Sequence, residues 1–180
     1  MKKVILTLLV GLGAGGALNM AKAATTPEVS VLYRGSLVAE PCTLLPEDKN
    51  ILLDFGTVID KYLYLNGRMN SKPFQLHLID CDTSLGKMVK MTFSGTESLP
   101  LPGLLALDAG SEAKGIAIGL ETQDGQALPL NQQSRGQDIT NGNNVITLKA
   151  YVKGEPDAIT NKTIERGIFT AVATFALEYE

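Results

Sequence analysis

The sequence predicts an all-β protein built as one β-sandwich. Three observations carry that reading. Apolar residues recur at every second position in one segment after another, the pattern of half-buried strands. Gly and Pro are spread among these short segments, as in all-β proteins. No stretch has the spacing of a long amphipathic helix, an internal repeat or a domain boundary, and seven or so short strands at this spacing suggest a single sandwich.

The first residues stand outside that pattern. Lys2 and Lys3 form a basic start, Val4 to Leu18 an apolar stretch, and Ala21-Lys22-Ala23 a small-x-small cleavage site. The competing reading is a membrane anchor, but about 15 apolar residues with four glycines fall short of the roughly 20 that a spanning helix needs. Residues 1–23 are therefore expected to be a secretory signal peptide. The mature chain is then 157 residues, one domain in size. Losing three lysines leaves 13 basic against 19 acidic residues, a net charge of −6. With no basic run, nucleic acid and anionic membrane surfaces are unsuitable partners.

In the mature chain Val29, Val31, Tyr33, Gly35, Leu37 and Ala39 alternate up to Pro41-Cys42. Ile51 to Phe55 reads as a short strand ended by Gly56, and Phe74, Leu76 and Leu78 alternate with Gln75 and His77. Met88 to Phe93 forms another strand, and Leu99 to Ala113 is loop-like, broken by Pro100, Pro102, Gly103 and Gly110. Asp124-Gly125, between Ile116–Leu120 and Ala127–Leu130, is a hairpin signal. Asn141 to Asn144 turns the chain into a strand over Val145–Val152, and the polar run Glu155–Glu165 reads as a loop. Last come Gly167, Phe169, Ala171, Ala173, Phe175, Leu177 and Tyr179. From Phe169 on they make one long half-buried strand, and no later segment covers its other edge. An uncovered apolar edge is an aggregation hazard that a native protein must manage.

Cys42 and Cys81 are the only cysteines. In an exported chain they most simply form one disulfide; a metal pair or reactive thiols is the sharper alternative, against which stand the long spacing and the single histidine, His77. Closing that loop stabilises the fold by about 4 kcal/mol in the chain-entropy model. His77 lies opposite the apolar set of its strand, as a solvent-facing or partly packed histidine does. Asn161-Lys162-Thr163 fits a glycosylation acceptor but reads as loop. Without a Cys–His partner, metal cluster or phosphate loop, little remains from which to build a catalytic site. No enzyme activity and no cofactor are expected.

Taken together, Tyr33-Arg34-Gly35-Ser36-Leu37 before Pro41-Cys42, Phe55-Gly56-Thr57-Val58, Ile79-Asp80-Cys81-Asp82-Thr83, and Ile116 to Leu120 with Asp124-Gly125 and Leu128-Pro129-Leu130 carry a resemblance. So do Gly167, fourteenth from the end, and the penultimate Tyr179. The mature chain resembles the pilin subunits of the chaperone–usher pathway over nearly all its length. Their fold, by that resemblance, is an incomplete immunoglobulin-like β-sandwich lacking its last strand. A donor strand from a periplasmic chaperone, and then from the neighbouring subunit, completes it.

The resemblance implies a donor arm at 24–36 and a pilin domain at 37–180. The donor set is Val29, Val31, Tyr33, Gly35 and Leu37; the acceptor groove and chaperone contact are Gly167, Phe169, Ala171, Ala173, Phe175, Leu177 and Tyr179. Burying four large donor side chains is worth roughly 6 to 12 kcal/mol before ordering costs, at about 1.5 to 3 each. The implied partners are the chaperone, an outer-membrane usher and other pilus subunits. The product is a surface fimbria supporting cell adhesion, with this chain as a minor tip or adaptor subunit. Two bland readings stand beside these: Val29 to Leu37 as an ordinary first strand, and Tyr179 as an amphipathic terminal residue. The alternative function is a self-complete exported sandwich that binds a sugar or protein ligand.

Overall fold

A computed structural model describes residues 29–180; the expected leader and residues 24–28 of the expected arm lie outside them. The chain divides into two units, Met1–Leu37 and Val38–Glu180. Residues 29–37 of the first form no helix or strand, and Val29, Val31, Leu32, Tyr33 and Leu37 are exposed. The alternating run at 29–39 is thus not a strand of the described structure. Period-2 spacing marks a chain able to bury one face, and a strand also needs a neighbour's backbone.

The second unit holds seven strands, β1 Thr43–Leu44, β2 Lys72–Cys81, β3 Met88–Ser94, β4 Ile116–Thr122, β5 Gln137–Asp138, β6 Gly142–Gly154 and β7 Thr174–Tyr179. They form two antiparallel sheets, ordered β1-β2-β6-β4 and β5-β3-β7. The core lies between them. Leu76 and Leu78 of β2 and Ile146, Leu148 and Ala150 of β6 meet Val89, Met91 and Phe93 of β3 in one buried cluster. Alternation along each strand puts these residues on one face, and each fully buried aliphatic side chain contributes about 1.5–3 kcal/mol.

Two short helices depart from the sequence reading. Helix α1, Asp60–Asn66, begins where Arg166 clasps the Asp60 carboxylate at 2.7 Å. That contact holds the Asp60 carboxyl below its ordinary range. Helix α2, Pro156–Asn161, replaces the loop expected over 155–165; its proline sits in the first turn, where no intrahelical donor is needed. Residue Leu63 of α1 seals a second cluster with Ala113, Ile116 and Val152. A 3-10 turn, Pro46–Lys49, follows β1, and its buried Asp48 accepts from the His77 backbone N–H and lies 2.9 Å from His77 Nδ1. The lone histidine is thus partly packed, as its place on the strand suggested.

The outer face of the larger sheet is also covered. Tyr151 lies over Gly119, where a Cβ would fall 2.2 Å from the ring, so only glycine fits. Arg68 stacks 3.6 Å above the Tyr151 ring and pairs with the buried Glu121 carboxylate at 3.0 Å, which also accepts from Ser71. Burial pushes the Glu121 carboxyl up, but the hydrogen bonds from Arg68 and Ser71 outweigh it and leave it below the ordinary range.

Candidate functional site

The edges of the two sheets leave a groove of about 720 Å³ between them. One wall is the terminal segment. Its even-numbered residues bond on one side: Glu180 exchanges N–H···O bonds with Met88, while the Ile168 and Thr170 carbonyls accept from Glu112 and Asp108, all at 2.8–3.0 Å. The β3–β7 register carries that alternation along the strand. The N–H and C=O groups of residues 169, 171, 173, 175, 177 and 179 therefore point to the opposite edge, and among the described residues no backbone group meets them.

The other wall is residues 49–55, which run from the end of the 3-10 turn and belong to no strand. The sequence reading expected a strand over Ile51–Phe55. The structure corrects this: the segment lies in no strand, and among the described residues no backbone group bonds to its backbone. Its ends are anchored instead by side chains, Asp48 to His77 at one and Lys72 Nζ to the Asp54 carbonyl, at 2.9 Å, at the other. The disulfide Cys42–Cys81 ties the approach to this wall to the end of β2, its Cα atoms 4.1 Å apart and both residues buried. The expected pairing is present.

The floor is apolar: Phe74, Phe93, Leu105, Ile118, Leu120 and Ala150. A slot with an apolar floor and two unpaired backbone edges suits an extended peptide, which can bond to both walls and set alternate side chains on the floor. Among the described residues no three His, Cys, Asp or Glu side chains gather as metal ligands, and no helix is long and apolar enough to cross a membrane.

The expected acceptor residues divide. Ala171, Ala173 and Phe175 line the groove. Phe169, Leu177 and Tyr179 pack against the core from the same face but do not line it. Burial raises the Tyr179 hydroxyl pKa, and the nearby Glu40 adds to the rise. At Gly167, φ is +156° and an added Cβ would fall 2.3 Å from Glu112 Cβ, so glycine admits the close approach of that loop. Regular pairing begins only at Thr174, later than the sequence suggested, because residues 168–170 bond to the loop at 108–112 instead of to β3. Sequence reasoning missed the opposite wall as part of the site. The signal was there, since Ile51, Leu53 and Phe55 alternate.

These features define a class, a β-sandwich with an unpaired edge beside an apolar groove. The family model described as "Fimbrial protein" matches residues 31–180. The chain belongs to this family, the pilin subunits of chaperone–usher fimbriae, and is a structural subunit, not an enzyme. It is 33% identical over 181 residues to the Major MR/P fimbria protein of Proteus mirabilis, covering all of both chains. It is 32% identical over 155 residues to the fimbrial adapter PapK of Escherichia coli, covering 83% of this chain and 86% of that one. The crystal structure of the P pilus rod subunit PapA superposes with a TM-score of 0.67 at 23% identity, over 78% of this chain and all of that one. The fold is shared: an incomplete immunoglobulin-like sandwich.

Proposed function

We propose that this subunit polymerises by strand exchange. Its groove takes a strand from a periplasmic chaperone, and then the arm of a neighbouring subunit delivered at an outer-membrane usher. Its own arm, Val29, Val31, Tyr33, Gly35 and Leu37, enters the groove of the next molecule. The observation that carries the reading is the pair of facing edges, residues 49–55 and 169–175, each with free backbone groups above one apolar floor. A donor strand bonded to both edges removes the hazard of an exposed strand edge. Export through the periplasm and display on the surface fimbria follow from this reading.

Within the fimbria, the position we propose is a minor tip or adaptor subunit supporting adhesion. The 32% identity to an adapter and the Tyr33-Arg34-Gly35 pattern support it; the 33% identity to a major fimbria protein favours a rod position instead. Quantitative mass spectrometry of sheared fimbriae separates the two: a few copies per filament support the adaptor, and a majority of the filament mass overturns it. Strand exchange itself is tested by deleting Ala24 to Arg34. The shortened subunit should co-purify with the chaperone from periplasm and fail to donate to a neighbour; unchanged polymer refutes the arm assignment.

A further inference from the structure

Hydrophobic pattern alone does not fix where a donor strand comes to rest. A one-residue slip would turn Arg34 toward the floor, but a two-residue slip keeps the same apolar face inward. Registers two residues apart are therefore close in energy unless something in the groove separates them.

The groove has one closed end. Phe55 and Phe169 face each other there, ring centroids 6.3 Å apart and planes inclined by 32°. On one wall the lining ends at Phe55; on the other it starts at Ala171, two residues past Phe169. Both rings pack against both apolar clusters. Beyond them the interior is already filled by Leu63, Ala113, Ile116 and Val152. Phe169 is also held in place, because the flanking carbonyls of Ile168 and Thr170 are bonded to Glu112 and Asp108. At the other end, between Lys49-Asn50 and Phe175, the lining is not closed by such a pair.

We propose that the Phe55–Phe169 pair is the register stop of the groove, an inference that rests on the groove's taking a donor strand. The last inward-facing donor side chain abuts the rings. A further two-residue advance would force it into space the two aromatics occupy. The pair thus selects one register among those the alternating arm allows, and makes Phe55 and Phe169 specificity-determining residues of the joint.

Disulfide trapping tests this. Val172 lies on the groove wall and is exposed, so Val172→Cys in the full chain offers a thiol beside the entering strand. Synthetic peptides spanning 24–39 carry one cysteine in turn at Ser30, Leu32, Arg34 or Ser36. One position should crosslink at least tenfold faster than those two residues away. In the Phe55→Leu/Phe169→Leu protein, which keeps apolar bulk without the rings, the favoured position should move by two residues or spread over two. The same single position in that protein and in Phe169→Ala overturns the stop, as does loss of peptide binding in both, which would make the rings part of the groove's shape. Failure of any peptide to bind the unsubstituted groove overturns the donor-strand reading instead.

Discussion

The two apolar clusters of the sandwich are alike in composition and opposite in cover. Around Leu63 and Val152, helix α1 closes the interior, and Arg166–Asp60 clasps the helix to the segment leading into the terminal strand. Around Phe74, Phe93 and Leu120 the interior opens into a groove whose walls have free backbone edges. One half is finished within the chain, and the other is the half that a second chain's strand completes under the proposed function. The boundary between them is the Phe55–Phe169 contact, which belongs to both. Incompleteness is thus local: most of the sandwich is packed, and two unpaired backbone edges flank one slot.

The largest effect should come from the disulfide, which anchors the approach to the open wall. The Cys42→Ser/Cys81→Ser protein should lose about 4 kcal/mol in denaturant titration, the chain-entropy value for a loop of this length. On the closed side, Leu63→Ala should cost about 3 kcal/mol, equally with and without a bound donor peptide. Phe74→Ala should behave differently. Its cost should be small in the free domain and approach about 3 kcal/mol when a strand covers it. Equal costs for Phe74→Ala in both states would erase the distinction between the two halves.

Cover was the part the sequence concealed. The strands at 88–93, 116–120 and 145–152 were legible because alternation decides which face is buried. The runs at 29–39 and 51–55 read as strands too, yet form none in the described structure. Side-chain period reports what can be buried, not which backbone supplies the hydrogen bonds. The same limit hid half of the groove, since Ile51, Leu53 and Phe55 read as an ordinary strand and not as a wall. Helix α1 was missed because seven residues around one buried leucine carry too little periodicity to be seen. Conversely, Ala171, Ala173 and Phe175 were readable because apolar residues recur there at every second position.

Smaller effects complete the comparison. Glu121 stabilises the covered outer face as a carboxylate, and its folded-state pKa lies below the ordinary value. Its contribution is therefore complete above the ordinary carboxylate range and is lost as pH falls through that range toward the folded pKa. Replacing Glu121 with Gln should flatten this acid-side loss in melting curves taken from neutral to low pH, without altering peptide binding. Smallest of all, Arg166→Ala removes an ion pair whose guanidinium is exposed, and it should leave the melting temperature almost unchanged.

The central claim is that the mature subunit is stabilised by another chain's strand. It is tested most directly by thermal unfolding of residues 24–180 with and without the peptide of residues 24–39. The account predicts poor stability or aggregation alone, and a melting temperature that climbs with peptide concentration. A control peptide carrying Val31→Asp and Tyr33→Asp should have no effect. A soluble monomer with a sharp, high melting transition that the peptide leaves unchanged would contradict it.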